Sequence, residues 1–328
     1  MKAIVYEKYG APDVLRLADI DTPAPLPDQV LIKIHAASLN PLDWHYMRGI
    51  PYLVRMGVGS LRPKIGRLGV DFSGTVESVG QNVNQFRPGD AVFGGKLGAF
   101  AEYVCLSETR ALVLKPSELT FEQAASVPIA ALTALQALRD RGKTEAGQKV
   151  LINGASGGVG TFAIQIARSL GAEVTGVCSS KNIELVKSIG ANHVVDYTER
   201  DFTTDGNCYD VILDNVSNHA LSAYRRILNP HGKYVLIGGG RPNDGRWLGP
   251  LVAPARAAVL SRLVTQQMGA MLADLNPADL ATLCGLMVTG QVSPVIDRHY
   301  TLGEVPEAIQ YLEEGHARGK VIIAVASP

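Results

Sequence analysis

Between Asn153 and Gly160 the chain reads Asn-Gly-Ala-Ser-Gly-Gly-Val-Gly. A short apolar run, Val150 to Ile152, precedes it, and apolar residues follow at Val159, Phe162, Ala163, Ile166, Ala167 and Leu170. The run has the character of a buried parallel strand, and the three-and-four spacing after it marks one face of a helix. Strand, glycine turn and helix in that order open a dinucleotide-binding βαβ unit. Its glycines let the backbone approach a pyrophosphate, whose charge rests against the amides of the helix N-terminus. The pattern is Ala-x-Gly-Gly-x-Gly, with Ala155 in the first glycine's place. It assigns nucleotide contacts to Ala155, Ser156, Gly157, Gly158, Val159 and Gly160. Glycines alone would be ordinary turn punctuation; the flanking elements are what point to a nucleotide.

The end of the next strand bears on which nicotinamide is used. An NAD site usually carries Asp or Glu about 20 residues past the glycine turn, accepting from the ribose hydroxyls. Here that place reads Val177-Cys178-Ser179-Ser180-Lys181 and holds no carboxylate. Ser179, Ser180 and Lys181 offer two hydroxyls and an ammonium to a 2′-phosphate, which favours NADPH. The plainer alternative makes the serines a helix cap and the lysine a solvated charge. Asp214-Asn215-Val216 and Gly238-Gly239-Gly240 each close a strand at the carboxyl edge of the sheet, where ligands bind in this architecture. Asn215, Val216 and the three glycines join the cofactor set.

Strands at 150–153, 173–178, 193–196, 210–214 and 233–238 alternate with helical stretches, and Gly171 and Gly190 stand where helix C-caps belong. This predicts an α/β chain with a doubly wound parallel sheet. The first ~120 residues differ: short β-like segments separated by Pro and Gly suggest a partly open barrel. Thr120 and Gln123 form a capping-box pattern at the change of character. Residues 1–125 together with 268–328 are assigned to the substrate-side domain, and 126–267 to the cofactor domain. A terminal strand at Lys320–Val325 is expected to join the first domain. The apolar segment Trp247 to Leu275 suits a substrate cover, a subunit contact or a membrane-surface helix.

The 328 residues are 46% hydrophobic and 19% charged, and the formal net charge is zero, so no basic footprint suggests nucleic acid. Four scattered cysteines without a Cys-x-x-Cys pair suit a reducing compartment. No leader and no run near the ~18 apolar residues of a membrane span is evident, so the expectation is cytoplasmic.

Distributed strings then carry a resemblance over nearly the whole chain. They are Asn40-Pro41-Leu42-Asp43, Gly69-Val70-Asp71-Phe72-Ser73-Gly74, Phe86-Arg87-Pro88-Gly89-Asp90, Gly98-Ala99-Phe100-Ala101-Glu102-Tyr103, the glycine turn, and Ala317-Arg318-Gly319-Lys320-Val321. The chain resembles the medium-chain dehydrogenase/reductase superfamily, most of all its zinc-free quinone oxidoreductases, zeta-crystallin-like proteins and enone reductases. The resemblance implies a GroES-like barrel on the substrate side and a Rossmann domain holding NADPH, with the nicotinamide in the cleft between them. It also matches Thr133, Tyr197 and Lys320 to cofactor contacts. The zinc ligands of the alcohol dehydrogenases fall at Asn40, Val70 and Ile129, so no metal is expected. Hydride transfer to a small apolar quinone or to the β-carbon of an enone follows. Asn40, Tyr46 and Tyr52 are the candidate catalytic residues, Asn40 to orient the ring or substrate oxygen and the tyrosines to donate to a developing enolate. The rivals are an enoyl-thioester reductase, with Arg55, Arg62, Lys64 and Arg67 as a basic stretch, and a low-turnover crystallin-like NADPH binder. Dimers are common among the proteins it resembles, which allows a homodimer.

Overall fold

The computed structural model describes residues 1–52, 55–56, 59–238 and 264–325. β1 (Lys2–Val5) and β2 (Arg16–Asp19) form an antiparallel pair. β3 (Gln29–Ser38) is ten residues long and rich in branched apolar residues, and it is buried at Val30, Leu31 and Ile32 and again at Ala36, Ala37 and Ser38. Its length lets it serve three neighbours. After it come α1 (Pro41–Arg48), β4 (Asp71–Val79), β5 (Ala91–Gly95), β6 (Tyr103–Ser107) and β7 (Leu112–Leu114). α2 (Phe121–Ala125) begins with the expected capping box: Gln123 N donates to Thr120 Oγ1 at 3.1 Å, and Thr120 N donates to Gln123 Oε1 at 2.9 Å. α3 (Pro128–Gln136) follows.

The alternating part contains β8 (Lys149–Asn153), α4 (Gly158–Ser169), β9 (Glu173–Cys178), α5 (Ile183–Ser188), β10 (His193–Asp196), β11 (Tyr209–Asp214), α6 (Leu221–Arg226), β12 (Leu228–Leu236) and β13 (Gln267–Ala270). All the strand pairs are parallel, in the order β10-β9-β8-β11-β12-β13. This is the Rossmann order, with the reversal between β8 and β11. Gly171 and Gly190 take the left-handed conformations a C-cap needs, φ +81° and +110°. The chain then returns through α7 (Pro277–Val288), β14 (Ile296–Thr301), α8 (Val305–Glu313) and β15 (Lys320–Ala324). β15 pairs antiparallel with β3 (Ile323 opposite Ala37) and so closes the sheet β14-β15-β3-β4-β5-β7, to which β6 adds on β3.

Two compact units result. Unit 1 comprises Met1–Leu132, Leu275–Thr289 and Ile296–Pro328, and unit 2 comprises Thr133–Asp274 and Gly290–Val295. In unit 1 the core gathers Ile32, Ile34, Phe72, Val76 and Val92 on one side of the sheet, and Ile4, Trp44, Met47, Phe100 and Ile309 in a second cluster. In unit 2, Leu151, Val177, Ile212, Tyr224 and Tyr234 pack about the parallel sheet. α4 is buried on more than the one face the spacing suggested. Gln165 is also enclosed, its amide donating to Thr161 O and Ser293 O and accepting from Ser293 N.

Three elements escape the sequence reading. α1 is too short for a periodic signal, and β13 (Gln-Met-Gly-Ala) lacks branched residues. α7 carries a readable start, in which Asn276 Oδ1 accepts from Asp279 N at 2.8 Å and Pro277 follows, yet the sequence reading assigned no element there. Of the apolar segment Trp247 to Leu275, residues 247–263 lie outside the described residues, and the remainder supplies β13. Among the described residues no helix is long and apolar enough to cross a membrane.

Candidate active site

In unit 2, β8 ends at Asn153 and β11 at Asp214, on either side of the strand-order reversal. Gly154 turns the chain at φ +78°, and Gly157 is the N-cap of α4. A methyl at Gly160 would stand 2.2 Å from Gly154 O, so only glycine lets the helix pack on the turn. At Gly157 the added carbon meets nothing nearer than Gly154 O at 3.6 Å, which leaves open space before the first-turn amides. Ala155 is fully buried beneath the turn and donates its N–H to Val177 O at 3.0 Å. Its methyl is accommodated because β9 offers Gly176 opposite, where a carbon would be only 3.1 Å away. Gly158 and Val159 form the first turn of α4.

The end of β9 is tied down by a residue the sequence reading passed over. Asn182 Nδ2 donates to Ser156 Oγ at 3.0 Å and to Ser179 Oγ at 3.3 Å, tying the glycine turn to the end of β9. Ser179 stands at the N-cap of the short turn Ser180–Asn182, without a side-chain cap bond. Ser180 Oγ lies 3.0 Å from Thr198 Oγ1, and Lys181 is exposed. A carboxylate does reach this place. Parallel register sets Asp196 opposite Cys178. Asp196 Oδ1 accepts from Thr198 N and Oγ1 at 2.9 and 2.7 Å. Hydrogen bonds from Ser180 and Thr198 hold its carboxyl below the usual range. Burial, with Asp196 alongside, pushes the Cys178 thiol up to about 11. Tyr197 is 52% exposed beside them.

At the other edge, Asn215 donates both its N and its Nδ2 to Asn153 O, at 3.2 and 2.9 Å, and Val216 is exposed. Gly238 closes β12 so tightly on Asn215 that a side chain would stand 2.7 Å from Asn215 O. Gly239 and Gly240 lie outside the described residues. Thr133 is buried on α3. Beneath the crevice, the fully buried Asp214 accepts from Asn153 Nδ2 (2.9 Å), Val216 N, Ser217 N and Tyr234 OH (2.7 Å). Three buried acceptor oxygens along this edge have no hydrogen-bond partner among the described residues: Asn182 Oδ1, Asp196 Oδ2 and Asn215 Oδ1. A nucleotide fits such a set, since its sugar hydroxyls are donors and its phosphates suit the open helix N-terminus.

The remaining site residues belong to unit 1. Asn40 N donates to Asp43 Oδ2 at 2.8 Å, and Gly69 N donates to Asp43 Oδ1 at 3.1 Å. Asn40 Nδ2 donates to Asp71 Oδ2 at 2.8 Å, Ser38 Oγ to the same oxygen at 3.2 Å, and Ile129 N to Asp71 Oδ1 at 3.1 Å. Lys320 Nζ donates to Leu39 O at 2.9 Å and Asn40 Oδ1 at 2.7 Å, and pairs with Asp71 Oδ2 at 3.5 Å. Asp43 and Asp71 are 0% exposed, Asn40 and Lys320 2%. Lys320, matched by resemblance to the cofactor, thus has all three ammonium hydrogens engaged inside unit 1. Burial pushes the Asp43 carboxyl up to about 7, raises Asp71 and lowers Lys320; the ammonium and Asp71 each oppose the shift of the other. Neither carboxylate was singled out from the sequence, although both stand in the strings that carried the resemblance.

Tyr46 packs against the second core cluster, and burial, then Asp43, raises its phenol. The Tyr52 ring lies 4.5 Å from the Arg55 guanidinium carbon, which also covers Tyr9 at 4.4 Å. Arg55 donates to Gly49 O and Arg48 O, so it belongs to the local packing and not to a basic groove. The positions matched to zinc ligands do converge: Asn40 and Ile129 both bond Asp71, next to the buried Val70. Val70 and Ile129 have no donor atom in their side chains, and both ends of the Asn40 amide are engaged.

Residues 26–117 match the family model described as alcohol dehydrogenase GroES-like domain, and residues 189–323 the model described as zinc-binding dehydrogenase. The chain is 33% identical to a chloroplastic quinone oxidoreductase of Triphysaria versicolor, the match covering 98% of each. It is also 33% identical to a 2-methylene-furan-3-one reductase of Solanum lycopersicum, over 98% of this chain and 79% of the relative. A solved quinone oxidoreductase from Coxiella burnetii superposes with a TM-score of 0.88 at 33% identity, covering 99% of both chains.

Proposed function

From a chain that belongs to the medium-chain dehydrogenase/reductase superfamily, and is an oxidoreductase, we propose a zinc-independent NADPH-dependent reductase of quinones and α,β-unsaturated carbonyls. The observation that carries the cofactor is the turn at the strand-order reversal, where Gly160 is sterically required and Gly157 leaves the helix N-terminus open. The nicotinamide, when bound, supplies a hydride. This chain's residues bind and orient it. The α4 amides and Gly157 receive the pyrophosphate, and Asn182, Asp196 and Asn215 offer acceptors to hydroxyls. Ser179, Ser180 and Lys181 favour the 2′-phosphate, with Lys181 supplying the positive charge. Asp196 moderates that preference: its Oδ1 is engaged by Thr198, while its Oδ2 stays open to a ribose hydroxyl.

The donor chemistry at Asn40, Val70 and Ile129 supports a reaction without a Lewis acid, despite the name of the matching family model. Quinones and enones suit such a site because their carbonyls delocalise the incoming charge. Tyr46, held neutral by burial, and Tyr52 are the protein's candidate donors to the resulting oxyanion. The test is NADPH oxidation followed by fluorescence over quinones, 2-enals, enones and acyl thioesters, repeated with NADH. Turnover confined to thioesters, or equal kcat/KM for NADH, would overturn the respective half of the assignment. Lys181→Ala should lower NADPH kcat/KM about tenfold and leave NADH little changed, the loss of one charge-assisted bond.

A further inference from the structure

Asn40 lies between a buried cation and a buried anion. Its Oδ1 accepts from Lys320 Nζ at 2.7 Å and its Nδ2 donates to Asp71 Oδ2 at 2.8 Å. We propose that Lys320 and Asp71 are positioning residues whose ion pair locks the Asn40 carboxamide in one orientation, so that what Asn40 can offer a ligand is a hydrogen-bond donor. Rotating the amide by half a turn would set its NH2 against the ammonium and its oxygen against the carboxylate, so both contacts would become repulsive. An amide between two neutral partners would have no such preference. The ion pair itself is built in. Lys320 Nζ has Leu39 O as a third partner, and Asp71 is fixed by Ser38 Oγ and Ile129 N. Lys320 and Asp71 are 2% and 0% exposed, so water does not compete.

The second Nδ2 hydrogen of Asn40 has no acceptor among the described residues. A ligand group that met it would have to be an acceptor, such as a substrate carbonyl oxygen. On this account Lys320 acts through Asn40 and does not touch the cofactor's phosphates. The inference deepens the proposed function and rests on it for its kinetic readout.

The test uses the full chain and the variant Lys320→Met/Asp71→Asn, which removes both charges together, because Lys320→Met alone would strand a buried carboxylate. The first readout is the Asn40 side-chain amide signal in a nitrogen-15 spectrum, assigned by its loss in Asn40→Ser. The wild type should show a shifted, slowly exchanging pair, and the double variant a pair near free-amide values. The second readout separates affinity from turnover. The double variant should lose at least tenfold in kcat while its NADPH Kd stays within twofold of wild type. A tenfold rise in Kd with kcat retained would make Lys320 a cofactor contact and overturn the inference. So would a wild-type Asn40 amide that exchanges as fast as an exposed one, a result that needs no variant to fold. A wild type inactive with every acceptor would defeat the proposed function, and the amide signal would still decide this inference.

Discussion

Gly157→Ala and Gly160→Ala lie three residues apart and should fail in different ways. At Gly157 the backbone is extended, φ −81° and ψ 176°, which alanine adopts without strain, and the new methyl makes only an ordinary 3.6 Å contact. The entropy lost from the unfolded chain favours alanine by about 0.4–1 kcal/mol, while alanine is the poorer N-cap by a similar amount, so stability should stay within roughly 0.5 kcal/mol. The methyl does, however, occupy the open space before the helix amides. Losing even one charge-assisted hydrogen bond to a phosphate costs about 1.5–3 kcal/mol, so the NADPH Kd should rise roughly 10- to 150-fold. At Gly160 the methyl meets Gly154 O at 2.2 Å and Ala155 backbone at 2.8 Å, none of it able to yield like a side chain. The turn must open at a cost of about 1–3 kcal/mol or more, a drop in Tm on the order of 2–12 °C, and binding falls with it. Fluorescence titration with NADPH and thermal unfolding by circular dichroism read the two quantities separately. Wild-type affinity in Gly157→Ala would refute the placement of the pyrophosphate, and a matching loss of Tm in both variants would refute the division of roles.

Two further outcomes concern the buried polar groups. Tyr234→Phe removes a 2.7 Å donor from the fully buried Asp214 and should cost about 2 kcal/mol in urea unfolding, since bonds to charged groups contribute roughly 1.5–3 kcal/mol; a loss below ~0.5 kcal/mol would mean that Asp214 is held adequately by its other donors. For Asp43 the effect is a pH slope. The folded carboxyl keeps its proton up to about 7, against an ordinary value of 3.8, so between these the unfolded chain binds fewer protons and stability falls as pH rises. Asp43→Asn lacks that titration and should be the less stable protein, since its NH2 faces the Gly69 or Asn40 N–H. The gap between wild type and variant should therefore narrow from pH 5 to pH 8, and a gap that widens over this range would contradict the direction of the shift.

What the sequence made legible is what depends on neighbours along the chain. The strand, glycine turn and helix at 149–169, the capping box at Thr120 and the C-cap glycines 171 and 190 are local patterns, and each stands where it was expected. What it hid depends on register and distant closure. Asp196 reaches Ser180 only because β10 pairs in parallel with β9, with Cys178 opposite it, so a search for a carboxylate confined to the end of β9 misses it. Lys320 meets Asp71 because β15 returns to β3 from the far end of the chain, bringing the ammonium to a strand read more than two hundred residues earlier. A string such as Arg-Gly-Lys-Val marks the lysine as notable without saying what it touches.

Hydrogen-bond satisfaction then separates the two groups of site residues by role. In unit 1 Asp71 receives four donors, Asp43 two and Lys320 finds three acceptors, so these three charged groups are satisfied without a ligand, as the proposed role of holding Asn40 requires. Of the five buried side-chain oxygens with no partner among the described residues, three, on Asn182, Asp196 and Asn215, lie along the crevice of unit 2, and the others are on Thr144 and Asp205. Leaving a buried acceptor unpaired costs about 1–3 kcal/mol, a burden that folding alone gives no reason to accumulate on one sheet edge. A donor-rich ligand recovers that cost on binding. The strongest candidate residues for contact are therefore those the fold leaves unsatisfied, and a well-satisfied buried charge such as Lys320 is better understood as part of the scaffold that aims its neighbour.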